Sequence, residues 1–127
     1  MKYLLGKSAA IILVIFLFSV NALAQDATTT KIRFAKGKSS ATYNGRISRT
    51  EGVQHYEFRA KAGQKVTISV SAPRNNVKFL FFASGNASQL NDDERNWSWN
   101  LEEDGDYVIT VQSTKDAANY KLNISIR

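Results

Sequence analysis

Among its 127 residues the chain has no cysteine, one histidine, one proline and one methionine. Without cysteine there is no disulfide, and stability must come from packing and strand pairing. One imidazole and no thiolate cannot assemble a closed zinc site. The single histidine, His55, sits on the polar side of an alternating stretch beside Glu57. No nucleophile motif lies near it, and Ser84-Gly85-Asn86-Ala87-Ser88 lacks the order of a nucleophile elbow. A solvated surface histidine is the better reading than a general base. These absences point away from an enzyme and towards a binding protein that uses no metal and no cofactor.

Long apolar runs are also missing. The longest, residues 9–20, is interrupted only by the hydroxyl of Ser19, and it falls short of the roughly 20 residues that a spanning helix needs. It follows Lys2 and Lys7 and precedes Ala22-Leu23-Ala24. That order of positive, apolar and small residues is a secretory signal with an A-x-A cleavage site. The expected division is a signal peptide over 1–24, a flexible leader over 25–30 and a single domain over 31–127. Cleavage leaves 103 residues, soluble, not membrane-anchored and periplasmic, and long enough to bury a core without staples.

Acidic residues are scarce in one half. Residues 31–78 carry eleven Lys and Arg against Glu51 and Glu57, whereas residues 79–127 carry four basic and eight acidic side chains. Alternating charge on the solvent face of a sheet explains most of this. An anionic partner steered by clustered charge is the second reading. Nucleic acid ranks last, for want of any recognisable motif.

What is present is a period of two. Ile32 and Phe34 alternate with Lys31 and Arg33; Tyr56 and Phe58 alternate with His55, Glu57 and Arg59. Asn44-Gly45 is a turn dipeptide that suits a hairpin tip or a bulge. Residues 61–64, with Gly63, join two alternating runs in a way that signals a hairpin, and residues 102–106 sit in a second one. Residues 77–82 are a denser apolar run, suited to a strand covered on both faces. Residues 84–96 read as an irregular surface loop. About eight short strands, with no amphipathic helix after residue 25, predict an all-β fold: an antiparallel β-sandwich.

Two acidic stretches, Asp92-Asp93-Glu94 and residues 102–106, have the oxygen chemistry of calcium loops but not their spacing. Asn86-Ala87-Ser88, Asn96-Trp97-Ser98 and Asn123-Ile124-Ser125 match the glycosylation pattern by chance in a bacterial-looking export product. Trp97 and Trp99 share a face with Leu101. Facing outward they make a platform for sugar rings or a protein partner; facing inward they fill the core. Ser98 and Asn100 on the opposite face favour the core.

Residues 32–45, from Ile32-Arg33-Phe34 to Asn44-Gly45, and residues 56–66, from Tyr56-Glu57-Phe58 to Val66, together resemble the bacterial periplasmic inhibitors of goose-type (g-type) lysozyme. Gly105-Asp106-Tyr107 and Tyr120-Lys121-Leu122-Asn123-Ile124 look like the turn and closing strand of pre-peptidase C-terminal (PPC-like) sandwiches. The resemblance spans nearly all of residues 32–127 and is most specific over 32–70. It implies a g-type lysozyme as protein partner, with surface loops set into the enzyme's substrate cleft. The implied contacts are Asp104, Gly105 and Tyr107 in one turn and Thr114, Lys115, Asp116, Ala117 and Ala118 in the next loop. Asp104 stands where the family pattern has serine, and Thr114 and Ala118 where it has arginines. The alternative is an envelope module that binds cell-wall glycan or another protein without inhibiting a lysozyme.

Overall fold

Residues that alternate between apolar and polar can bury one side of an extended chain and hydrate the other, and eight segments do so. In the computed structural model, residues 29–50 and 52–127 are described. The expected signal peptide over 1–24 and the leader up to residue 28 lie outside them. The strands are β1 (Thr29–Lys31), β2 (Ser40–Ile47), β3 (Val53–Ala60), β4 (Lys65–Ser71), β5 (Val77–Ala83), β6 (Asn96–Asn100), β7 (Gly105–Ser113) and β8 (Ala118–Ile126). No helix occurs among the described residues.

The odd strands form one sheet, in the order β1-β3-β7-β5, and the even strands the other, β2-β8-β4-β6. Pairing is antiparallel except between β1 and β3. Every connection therefore crosses from one sheet to the other, and no two consecutive strands pair. This corrects both expected hairpins. Ala60 pairs with Gly105 in the first sheet, while Lys65, just beyond the 61–64 loop, pairs with Asn100 in the second. A short glycine-bearing loop reverses the chain in either case, so period and loop length alone do not separate a hairpin from an arch.

The core fills with the inward residues of both sheets. Tyr56, Phe58, Phe79, Phe81, Tyr107, Ile109 and Val111 come from the odd strands; Val66, Ile68, Val70, Trp97, Tyr120, Leu122 and Ile124 come from the even strands. Phe81 is the aromatic hub. Its ring lies 5.4 Å from Tyr107 and 5.9 Å from Phe58, both stacked, and 5.3 Å from the tilted Trp97 across the core. Offset rings at these separations add to the burial of their area.

Four further expectations change. Asn44-Gly45 is neither tip nor bulge but the middle of β2, in continuous register with β8. Gly45 is there because the Tyr120 ring lies over it; a β-carbon at that position would sit 2.3 Å from the tyrosine oxygen. Thr29 and Thr30, assigned to the leader, pair with His55 and Tyr56. The strand expected around Ile32 and Phe34 ends at Lys31, although the Ile32 N–H still donates to the Glu57 carbonyl at 2.8 Å.

The apolar run of β5 belongs to an edge strand, buried on its inner face and half-buried on its outer one. Its edge is closed by the loop over residues 84–95. The Asn91 side chain accepts the Phe81 N–H at 2.8 Å and donates to the Phe79 carbonyl at 3.0 Å. The Phe79 N–H reaches the Glu94 carbonyl and the Leu90 N–H the Phe81 carbonyl, each at 2.8 Å. A side-chain amide thus stands in for a neighbouring strand, which protects an edge that would otherwise invite pairing.

Candidate functional site

Strand direction fixes where each expected contact residue lies. β7 runs from Gly105 at one end of the sandwich to Ser113 at the other, a span of roughly 26 Å at about 3.3 Å per residue. Asp104, Gly105 and Tyr107 therefore lie at one end, and Thr114, Lys115 and Asp116 at the other. The two groups are not brought together.

At the first end the turn is held from within. The Asp104 carboxylate accepts the Ala62 N–H at 2.7 Å, and the Leu101 carbonyl accepts the Gly63 N–H at 2.7 Å. Gly105 has φ of 155°, a conformation that side-chain-bearing residues rarely adopt. Tyr107 is buried, and its hydroxyl donates to the Glu103 carbonyl at 2.5 Å. Burial raises its pKa first, and the nearby Glu103 carboxylate adds to the rise. Asp104, Gly105 and Tyr107 thus each have an internal role in shaping the turn.

The second end gathers three connections: β2–β3, β4–β5 and β7–β8. Its central loop, over residues 114–117, is tied to both neighbours. The Asn76 amide, on a buried side chain, donates to the Lys115 carbonyl at 2.6 Å and the Ala117 carbonyl at 3.4 Å. The Thr114 N–H returns a bond to the Asn76 carbonyl at 2.9 Å. Asp116 takes a left-handed conformation, φ 61°; its N–H donates to the Thr50 hydroxyl at 3.0 Å, and its carbonyl accepts the hydroxyl of the fully buried Ser113. Burying Ser113 without that acceptor would leave a polar group unpaired.

Around this loop stand Arg46, Arg49, Arg74 and Lys115, all exposed and none in an ion pair among the described residues. Arg46 donates to the Asn119 side chain at 3.2 Å. A recess of about 330 Å³ opens between Arg46, Pro73, Arg74, Asn76, Ala117 and Asn119. Three of the four cations come from parts of the chain far away in sequence: Arg46 near the end of β2, Arg49 in the β2–β3 connection and Arg74 in the β4–β5 connection. Arg46, Arg74 and Asn76 were not singled out from the sequence, because only the fold sets them beside residue 115. The one local sign was Pro73-Arg74-Asn75-Asn76, a turn-rich segment with a cation at its tip.

Elsewhere, His55 bonds the buried Thr110 hydroxyl through Nδ1 at 2.9 Å. The Asp93 carboxylate accepts the Arg95 and Asn96 N–H groups at 2.9 and 3.0 Å, bonds that hold its pKa below the usual range. Glu94 faces Lys78 at 3.7 Å. These acids are committed to a turn and an ion pair, and among the described residues no group of three or more potential metal ligands converges.

The paired tryptophans divide. Trp97 is buried, as expected from its alternation, but Trp99 is 48% exposed. Their rings are nearly parallel, 7° apart with centroids 6.0 Å apart. Trp99 lies near the end of β6, the edge of its sheet. It is therefore a surface residue lying flat on a core one.

No family model and no curated protein sequence matches the chain. Solved structures do. The chain superposes on the periplasmic inhibitor of g-type lysozyme from Aeromonas hydrophila with a TM-score of 0.69 and 28% identity, over 80% of this chain and 98% of that one. The corresponding inhibitor from Salmonella Typhimurium gives 0.66 and 25%, over 79% and 98%. The pre-peptidase C-terminal domain of a Bacillus anthracis collagenase shares the fold at 16% identity, with a TM-score of 0.59 over 80% of this chain and 96% of that one. The sandwich is thus structurally similar to inhibitors of an enzyme and, less closely, to a PPC domain.

Proposed function

We propose that the chain is exported under its first twenty-four residues, works in the periplasm, and inhibits a g-type lysozyme by covering its substrate cleft. The observation that carries this reading is the domain-long likeness to two periplasmic inhibitors of that enzyme. The mechanism is steric and electrostatic, and no bond is made or broken.

The contact is assigned to the end around Lys115. Enzymes that cleave glycosidic bonds work with carboxyl groups, so their clefts present negative charge to an inhibitor. Arg46, Arg49, Arg74 and Lys115 supply the complementary sign, and they replace the arginines missing at Thr114 and Ala118. A loop already fixed by Asn76, Thr50 and Ser113 loses little freedom on binding. The other end has Asp104, whose carboxylate would be repelled by a catalytic acid. That residue is better explained by its bond to Ala62.

The test is an inhibition assay with purified residues 25–127 and a g-type lysozyme acting on peptidoglycan. Loss of lytic activity near one-to-one stoichiometry is expected, with binding weakened at least tenfold by Arg74→Glu combined with Lys115→Glu. Full lytic activity in micromolar excess of the protein would remove the proposal.

A further inference from the structure

The half-exposed Trp99 does not stand alone. Among the described residues the exposed large hydrophobics are Leu90 and Trp99, at 43% and 48%. Single exposed apolar residues are ordinary, but these two line one recess of about 230 Å³, shared with Ala83, Asn86, Glu102 and Glu103. The floor is rigid. One face of Trp99 is stacked on the buried Trp97, and the residue is half-exposed. Leu90 is held to the edge of β5 by the bond from its N–H to the Phe81 carbonyl. Glu102 and Glu103 are exposed, with no ion pair among the described residues.

We propose that this recess binds one acetamido-bearing pyranose ring of an uncharged glycan. A flat indole face takes up the C–H face of a sugar ring, where a purely polar site has nothing to pack against. The two carboxylates accept hydrogens from ring hydroxyls and from the acetamido N–H, and the Asn86 amide offers a donor in return. Leu90 and Ala83 give the acetamido methyl an apolar wall. Paired negative charge at the rim repels sulfated, phosphorylated or uronic sugars, which restricts the ligand to uncharged units. A basic side chain is the competing occupant, because a cation also favours an indole face beside carboxylates. The apolar wall of Leu90 and Ala83, which a cation does not need, favours the sugar. The site lies at the opposite end of the sandwich from Lys115 and does not depend on lysozyme inhibition.

The test is tryptophan fluorescence of residues 25–127 titrated with N,N′,N″-triacetylchitotriose, with cellotriose and a Lys/Arg-rich peptide as comparison ligands. A saturable spectral shift in the millimolar range is expected. It should vanish in Trp99→Ala, weaken severalfold in Glu102→Ala/Glu103→Ala, persist in Lys115→Glu, and be much weaker with cellotriose. If far-ultraviolet dichroism shows Trp99→Ala to be unfolded, the double glutamate variant, altered only at exposed positions, decides. No saturable shift, a shift that survives in folded Trp99→Ala, or equal affinity for cellotriose overturns the assignment. So does saturation by the peptide without saturation by the sugar.

Discussion

Tyr56 of the odd sheet and Tyr120 of the even sheet share a hydrogen bond of 2.5 Å between their hydroxyls, inside the core. It joins the two layers with a polar contact, and Tyr43 packs against the same site, with its ring centroid 5.3 Å from that of Tyr56. Burial raises the pKa of both bonded phenols. For Tyr120 the bond to Tyr56 adds to the rise; for Tyr56 the same bond offsets part of it.

Alkaline pH should therefore weaken the fold. The folded state holds these protons at a pH where the unfolded chain, with an ordinary tyrosine pKa of about 10, has lost them. Stability is fully present below that value and falls as pH rises through and beyond it. Urea midpoints measured between neutral pH and pH about 11 should fall, with a shallower decline in Tyr120→Phe. A flat profile in the parent protein would contradict the buried pair. At neutral pH, Tyr120→Phe should cost about 1 kcal/mol, because the Tyr56 hydroxyl loses its partner.

Gly45→Ala should be disproportionately costly for an added methyl on a strand. The new carbon would lie 2.3 Å from the Tyr120 oxygen and 2.4 Å from its ring. Displacing that ring disturbs the bond to Tyr56 as well. A loss of roughly 1–3 kcal/mol is expected, as for other overpacked cores. Thermal unfolding checks it, and an unchanged Tm would show that the ring can step aside freely.

Asn91→Ala removes the amide that caps the edge of β5. The Phe81 N–H and Phe79 carbonyl lose their partner, at roughly 1–3 kcal/mol, and a half-apolar strand edge is uncovered. The expected outcome combines a lower Tm with concentration-dependent association in light scattering. Asn91→Asp should retain the acceptor to Phe81 and lose the donor to Phe79, giving an intermediate Tm.

Asp104→Ser separates the two ends of the molecule. If lysozyme meets the Lys115 end, inhibition should change by less than about twofold, with a small loss of stability from the weakened turn bond to Ala62. A rise in potency of tenfold or more would move the contact to the Asp104 turn. Inhibition titrations beside the Lys115→Glu variant provide the comparison.

The existence of most strands was legible in the sequence because burial of one face leaves a period of two in the residues. Trp97 followed that alternation inward as expected. Sheet membership was not legible: the loops at 61–64 and 102–104 carry the same turn residues whether the next strand pairs with the last or crosses the core. Gly45 misled because its reason is a tyrosine seventy-five positions later. Trp99 follows the pattern of Trp97 but lies half-exposed near the end of an edge strand. The basic cluster escaped notice because Arg46, Arg74 and Lys115 meet only once three separate connections are stacked at one end.

The odd–even segregation of strands also governs when the fold can first exist. β7 is the link between β3 and β5, and β8 the link between β2 and β4. Until β7 has been released the odd layer is not continuous, until β8 has been released the even layer is not, and a fragment ending at Ser113 keeps β2 without any partner. A growing polypeptide consequently cannot complete its second layer until Ala118–Ile126 has emerged. Removing β8 with the arginine that follows it, the ten residues from Ala118 to Arg127, should abolish cooperative unfolding altogether, whereas losing the three of β1 should merely lower its midpoint.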